Sequence, residues 1–141
     1  MLFVCNFNAV RSPMAEAILR HLAGKQIYVE SAGVRAGEID PFAAAVMEEI
    51  GIDIAHHAPQ SIADLYDSSF DVVISLSPEA HHQALEMTRT QAINAEYWPT
   101  LDPTAATGSR EQIMDAYREV RDGLFRRIKS RFPLPGTLAN V

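Results

Sequence analysis

Cys5 is the only cysteine in this chain of 141 residues. One thiol rules out an internal disulfide, and with it a disulfide-stapled scaffold. Long apolar runs are also lacking. Nothing approaches the about 20 consecutive apolar residues that a membrane-spanning helix needs. Met1 runs straight into Leu2-Phe3-Val4, without the basic segment and small-residue cleavage site of a secretory signal. A free thiol without an export signal is expected in the reducing cytoplasm. Positive charge is scarce as well: 12 Lys and Arg against 18 Asp and Glu give a formal net charge of −6. That balance argues against nucleic acid as a partner, which calls for a concentrated basic surface. The one basic stretch, Arg118, Arg121, Arg126, Arg127, Lys129 and Arg131, is interleaved with apolar positions and flanked by Glu119 and Asp122. It reads as a solvated helix face. Any anion this chain binds must be held by local donors.

What is present is an ordinary globular mixture, 48% apolar and 21% charged, of a length that suits one core. Short β-rich runs at 2–5, 27–31, 70–76 and, more weakly, 92–98 alternate with segments of helical period. Ser12-Pro13, Asp40-Pro41 and Ser77-Pro78 each place a capping side chain before a proline, which is tolerated in a first helical turn. The first helix carries Met14, Ile18 and Leu22 and stops at Gly24; the second carries Ala43, Val46, Met47 and Ile50 and stops at Gly51. Ser109-x-x-Gln112 is a capping-box pattern, followed by the stripe Ile113, Tyr117, Val120, Leu124 and Ile128, with Pro133 closing the helix. Strand and helix in alternation imply an α/β domain, a parallel sheet with helices on both faces. We expect this domain over 1–132 and an irregular tail over 133–141. In such sheets ligands sit beyond the carboxyl ends of the strands, at helix N-termini.

The turn after the first strand reads Cys5-Asn6-Phe7-Asn8-Ala9-Val10-Arg11-Ser12. A loop wrapped between a strand end and a helix start turns backbone N–H groups inward and makes an anion cradle. The helix N-terminus adds partial positive charge. Arg11 can grip two oxygens of a tetrahedral oxyanion in a bidentate fork, which lysine cannot. The same surroundings favour the thiolate, which makes Cys5 a candidate nucleophile. Ser12 can donate to that thiolate, and Asn8 tolerates left-handed backbone angles. The competing reading is a small buried cysteine beside an exposed arginine. The loop lacks the Gly-Lys-Ser/Thr of a nucleotide-binding P-loop.

Residues 2–5 through Arg11-Ser12-Pro13-Met14-Ala15-Glu16 resemble the signature of the low-molecular-weight protein tyrosine phosphatase superfamily, which includes related arsenate reductases. Ser31-Ala32-Gly33, Gly51-Ile52-Asp53 and Asp102-Pro103 extend the resemblance across 1 to about 130. The resemblance implies a single three-layer domain with a four-stranded parallel sheet in order 2-1-3-4. It implies catalytic roles for Cys5 (nucleophile), Arg11 (phosphoryl binding) and Asp102 (general acid). The phosphate-binding loop would comprise Asn6, Phe7, Asn8, Ala9, Val10 and Ser12, with Ser31 supporting Asn8. The implied reaction is phosphate monoester hydrolysis through a phosphocysteine, on a phosphorylated protein or a small phosphate ester, with no cofactor and no metal.

This chain departs from the tyrosine-specific pattern. Thr104-Ala105-Ala106 follows Asp102-Pro103 where aromatic residues are usual, and the loop after Gly33 has no tryptophan. Both loops, and nearby Trp98, look more like the arsenate reductase branch, and Phe7 stands where small or polar residues are common. Thioredoxin-linked reductases, however, use two further cysteines, whose positions match Ser77 and Ala84. Arsenate reduction here would need an external thiol such as glutathione or mycothiol. A non-catalytic oxyanion-binding module is a third reading. The pairs His56-His57 and His81-His82 have no second ligand at metal spacing; one of His56 and His57 is expected to buttress the loop. Tyr28, Tyr66, Tyr97 and Tyr117 read first as core or edge residues.

Overall fold

The computed structural model describes residues 1–65 and 69–133. Tyr66 and the tail beyond Pro133 therefore lie outside the described residues. Four strands, β1 (Leu2–Cys5), β2 (Glu30–Gly33), β3 (Val72–Ser75) and β4 (Asn94–Tyr97), form one sheet of order β2-β1-β3-β4 in which every pairing is parallel. The helices are α1 (Arg11–Ala23), α2 (Pro41–Glu48), α3 (Pro78–Met87) and α4 (Arg110–Arg131), with short 3₁₀ turns at Ile62–Asp64 and Pro103–Ala105.

The strands are offset from or shorter than the apolar runs because pairing sets their limits. β1 begins at Leu2, opposite Glu30, and β2 runs on to Gly33 opposite Cys5. β4 is the half-exposed edge strand and is confined to its register with 72–75.

Alternation along β1 divides the core. Phe3 and Cys5 join Met14, Ile18 and Leu19 of α1 and Tyr117, Val120, Leu124 and Ile128 of α4 on one face. Leu2 and Val4 face the opposite side, with Val73, Ala80 and Ala84 beneath α3. Phe3, Met14, Ile18 and Leu19 are fully buried, each such side chain stabilising the fold by roughly 1.5–3 kcal/mol.

Three caps have the expected form. Asp40 accepts from the N–H groups of Phe42 and Ala43, Ser77 from Ala80, and Ser109 and Gln112 cap one another. Ser12 does not cap. The helix begins two residues earlier than a Ser12 cap would start it, at Arg11, with Val10 at its N-cap and no side-chain cap bond. The Ser12 hydroxyl is engaged inside the loop instead. The basic stretch also needs correcting at Arg121. It is buried, and its guanidinium bonds the Val46 carbonyl and the carboxylates of Glu49 and Asp122.

Candidate active site

The segment after β2 lies alongside the loop after β1. Val34, Arg35, Gly37 and Asp40 donate their backbone N–H groups to the carbonyls of Cys5, Asn6, Phe7 and Ala9, at 2.8–3.1 Å. These bonds satisfy the loop's carbonyls on its outer side. The N–H groups of Phe7, Asn8, Ala9, Val10 and Arg11 meet no acceptor among the described residues. A run of such donors at the start of a 13-residue helix is an anion-binding concavity. Gly33 permits the close approach. A Cβ there would lie 2.7 Å from the Asn8 nitrogen and 2.8 Å from the Phe7 carbonyl carbon, and would also meet the Arg35 oxygen.

Asn8 turns the loop with φ 53° and is fully buried. Its amide is saturated. Nδ2 donates to Ser12 Oγ (2.8 Å) and Ser31 Oγ (2.9 Å), while Oδ1 accepts from His57 Nε2 (2.8 Å) and the Gln60 N–H (3.0 Å). Ser31 in turn donates to the buried Glu16 carboxylate at 2.8 Å, which Arg20 also holds. Of the two candidate histidines, His57 is the one that reaches the loop, and burial keeps its pKa below the usual 6.5. Neither the role of Glu16 nor that of Gln60 was legible in the sequence; only the folded chain brings them to Asn8.

Cys5 is buried, its Sγ 2.9 Å from Ser12 Oγ and 3.4 Å from the Ser12 N–H donor. Ser12 Oγ accepts from Asn8, so its own hydrogen is directed at Cys5 or at the more distant Ala32 carbonyl (3.3 Å). Arg11 donates from Nη1 to the Thr100 carbonyl at 3.0 Å and brings Nη2 within 3.9 Å of Asp102 Oδ2. Asp102 Oδ1 accepts from the N–H and the hydroxyl of Thr104. Cys5, Arg11 and Asp102 line one pocket of about 280 Å³, together with the half-exposed ring of Phe7 and with Ala9 and Val10. Asn6 lies outside it, its side chain accepting from Ser77 at 2.6 Å. Sequence reading missed Asp40 as part of this wall and Tyr117 as its partner. The Tyr117 hydroxyl donates to Asp40 Oδ2 at 2.7 Å, and burial, this bond and the nearby carboxylates push its pKa above the usual phenol range.

The other histidines are engaged elsewhere or exposed. His81 stacks on Tyr97 and meets Ser75, and His56 and His82 are exposed. No group of three or more potential metal ligands occurs among the described residues. Trp98 packs on Phe3 with Arg127 over its ring, and Tyr28 stacks on Phe70 while remaining 60% exposed.

A parallel α/β sheet with a thiol and a guanidinium around an amide-lined loop defines a class of cysteine-dependent oxyanion enzymes. The chain belongs to the low molecular weight phosphotyrosine protein phosphatase family, whose model matches residues 1–132. It is 32% identical over 127 residues to an arsenate reductase of Bacillus subtilis, covering 90% of each chain. It is 34% identical over 130 residues to a glutaredoxin arsenate reductase of Synechocystis, covering 92% of this chain and 93% of that one. Among solved structures it resembles a mutant of the YwlE arginine phosphatase with a phosphorylated active-site serine. The TM-score is 0.74 at 25% identity, over 91% and 90% of the two chains. No helix among the described residues is long and apolar enough to cross a membrane.

Proposed function

We propose that this chain hydrolyses phosphate monoesters through a phosphocysteine, with Cys5, Arg11 and Asp102 as catalytic residues. Cys5 Sγ attacks phosphorus and the bond to the leaving oxygen breaks, Asp102 supplying the proton that oxygen takes. Asp102 then removes a proton from a water that attacks the phosphocysteine, and the S–P bond breaks to free Cys5 and inorganic phosphate. Arg11 and the five loop N–H groups stabilise the charge on the transferring oxygens, and the Ser12 hydroxyl, 2.9 Å from Cys5 Sγ, orients the nucleophile. The observation that carries this reading is the enclosure of Cys5 by these donors with Asp102 in the same pocket. Asp102 gives no advantage to a module that only binds oxyanions. The YwlE arginine phosphatase mutant, with its phosphorylated active-site serine, supports the covalent step.

A second reading rests on the two relatives named arsenate reductases and on the non-aromatic Thr104-Ala105-Ala106 beside Asp102. In it Cys5 Sγ bonds arsenic as one arsenate oxygen leaves as water, and an external thiol such as glutathione or mycothiol attacks Cys5 sulfur, breaking the S–As bond. Arsenite leaves with two electrons, and a mixed disulfide remains for a second thiol to reduce. By the resemblance, Ser77 and Ala84 stand where thioredoxin-linked relatives carry the relay cysteines, and both are buried.

The test is paired: hydrolysis of p-nitrophenyl phosphate, and arsenate reduction with glutathione and glutaredoxin supplied, each beside Cys5→Ser. Ester hydrolysis lost in Cys5→Ser establishes the phosphatase reading. Cysteine-dependent arsenate reduction with negligible ester hydrolysis replaces it with the reductase reading.

A further inference from the structure

Asp102 lines two pockets. The first, around Cys5, has about 280 Å³, little more than a phosphoryl group and the ring or chain bearing it require. The second, on the other side of the Asp102 loop, has about 530 Å³, within the range of small-ligand sites. Its walls are Pro99, Leu101 and Pro103 of the loop and Val120 and Leu124 of α4, with Gly123 among them. Exposed Glu119 and Arg127 complete it. Opposite charges at the edge of an apolar hollow suit an uncharged peptide segment better than a polyanion.

Two further features mark this hollow. Leu101, adjacent in sequence to Asp102, leaves 83% of its surface exposed and extends the apolar lining of the hollow toward solvent. Gly123 lies in the interior of the 22-residue α4, where glycine is disfavoured relative to alanine. Packing does not demand it: a Cβ there would meet only the tip of Arg126, at 3.9 Å. The glycine puts no side chain into this hollow or into the neighbouring one that it also lines with Trp98 and Arg126.

We infer that this hollow is a substrate subsite, receiving a bulky apolar side chain next to the phosphorylated residue of a peptide. The inference rests on the phosphatase reading and names its substrate class. Asp102 fixes the occupant: it lines both pockets, and a phosphoryl group on Cys5 places the adjoining part of its substrate beside it.

The experiment compares two phosphotyrosine peptides, one flanked on both sides by leucine and one by alanine, in the wild type and in Gly123→Leu. The wild type should prefer the leucine-flanked peptide in kcat/KM. Filling the hollow should cut that preference by about tenfold, the scale on which hydrophobic pockets discriminate, with the melting temperature equal or higher because a helix-interior glycine is gone. A preference that Gly123→Leu leaves within twofold overturns the subsite while leaving the phosphatase reading intact. No Cys5-dependent hydrolysis of either peptide or of p-nitrophenyl phosphate overturns both. Should Gly123→Leu fail to fold, Ala116→Leu, on the same pocket wall, carries the same comparison.

Discussion

His57 Nε2 donates to Asn8 Oδ1 at 2.8 Å, and this bond joins a titratable ring to the residue that turns the candidate phosphate loop through φ 53°. The direction of the bond follows from Asn8, whose Nδ2 is already donating to Ser12 and Ser31. Burial is the first cause holding the His57 pKa below 6.5; Glu16 opposes it and Arg20 adds to it. Below pH 6.5 the unfolded chain therefore binds more protons than the folded one. The stability associated with His57 is fully present above 6.5 and is lost as pH falls toward the lower folded value. His57→Gln should flatten the fall of melting temperature on acidification through this window. An identical slope in wild type and variant would show that His57 does not titrate there.

Gly33 supports the loop from below, and its substitution tests how tightly the loop is packed. The atoms a Cβ would strike belong to the backbone of Phe7, Asn8 and Arg35, which cannot swing aside as a side chain would. Gly33→Ala should cost roughly 1–3 kcal/mol of stability, the usual range for overpacking, and should displace the N–H groups that face the pocket. Affinity for inorganic phosphate, measured as competitive inhibition, should fall along with stability. Full phosphate affinity in a stable variant would mean that the loop has room the structure does not show.

The alternation of strand and helix, three of the four caps and the parallel sheet were legible because each depends on local pattern. Asp40, Ser77 and Ser109 cap helices whose sequences announce them. Ser12 carries the same local signal and does something else. Its hydroxyl accepts from Asn8 and meets Cys5 inside the loop, and a Ser-Pro pair does not reveal that engagement. Arg121 was misread for a similar reason: its helix face meets α2, where Val46 and Glu49 accept its N–H groups. The Cys5-to-Arg11 spacing and the place of the loop after β1 were visible in the sequence. The saturation of Asn8 by residues as distant as Gln60, and the Tyr117–Asp40 bond across 77 positions, exist only in the fold.

Arg11 has two tasks that lysine cannot combine. One arm of its fork bonds the Thr100 carbonyl, tying it to the segment that carries Asp102, and the rest faces the pocket. Arg11→Lys keeps the charge and loses the fork. We expect kcat on p-nitrophenyl phosphate to drop by about 10²–10³, as when one preorganised donor to a transition-state oxygen is removed. A variant within tenfold of wild type would assign the binding of the transferring oxygens to the loop N–H groups alone.

Asp102→Asn isolates the proton from the geometry. The amide keeps an oxygen for the Thr104 N–H and hydroxyl, so the Pro103–Ala105 turn retains its cap. It cannot give or take a proton at neutral pH. The consequence depends on the leaving group. Phenolate is a poor leaving group and needs protonation as its bond to phosphorus breaks, so phenyl phosphate should lose about 10²–10⁴ in rate, the range for a positioned acid. p-Nitrophenolate leaves readily without a proton, so the loss in the first step should be much smaller for that ester. Equal losses on the two esters, measured before steady state so that hydrolysis of the phosphocysteine does not mask the first step, would remove Asp102 as the acid. Its part would then be limited to holding Arg11, 3.9 Å away.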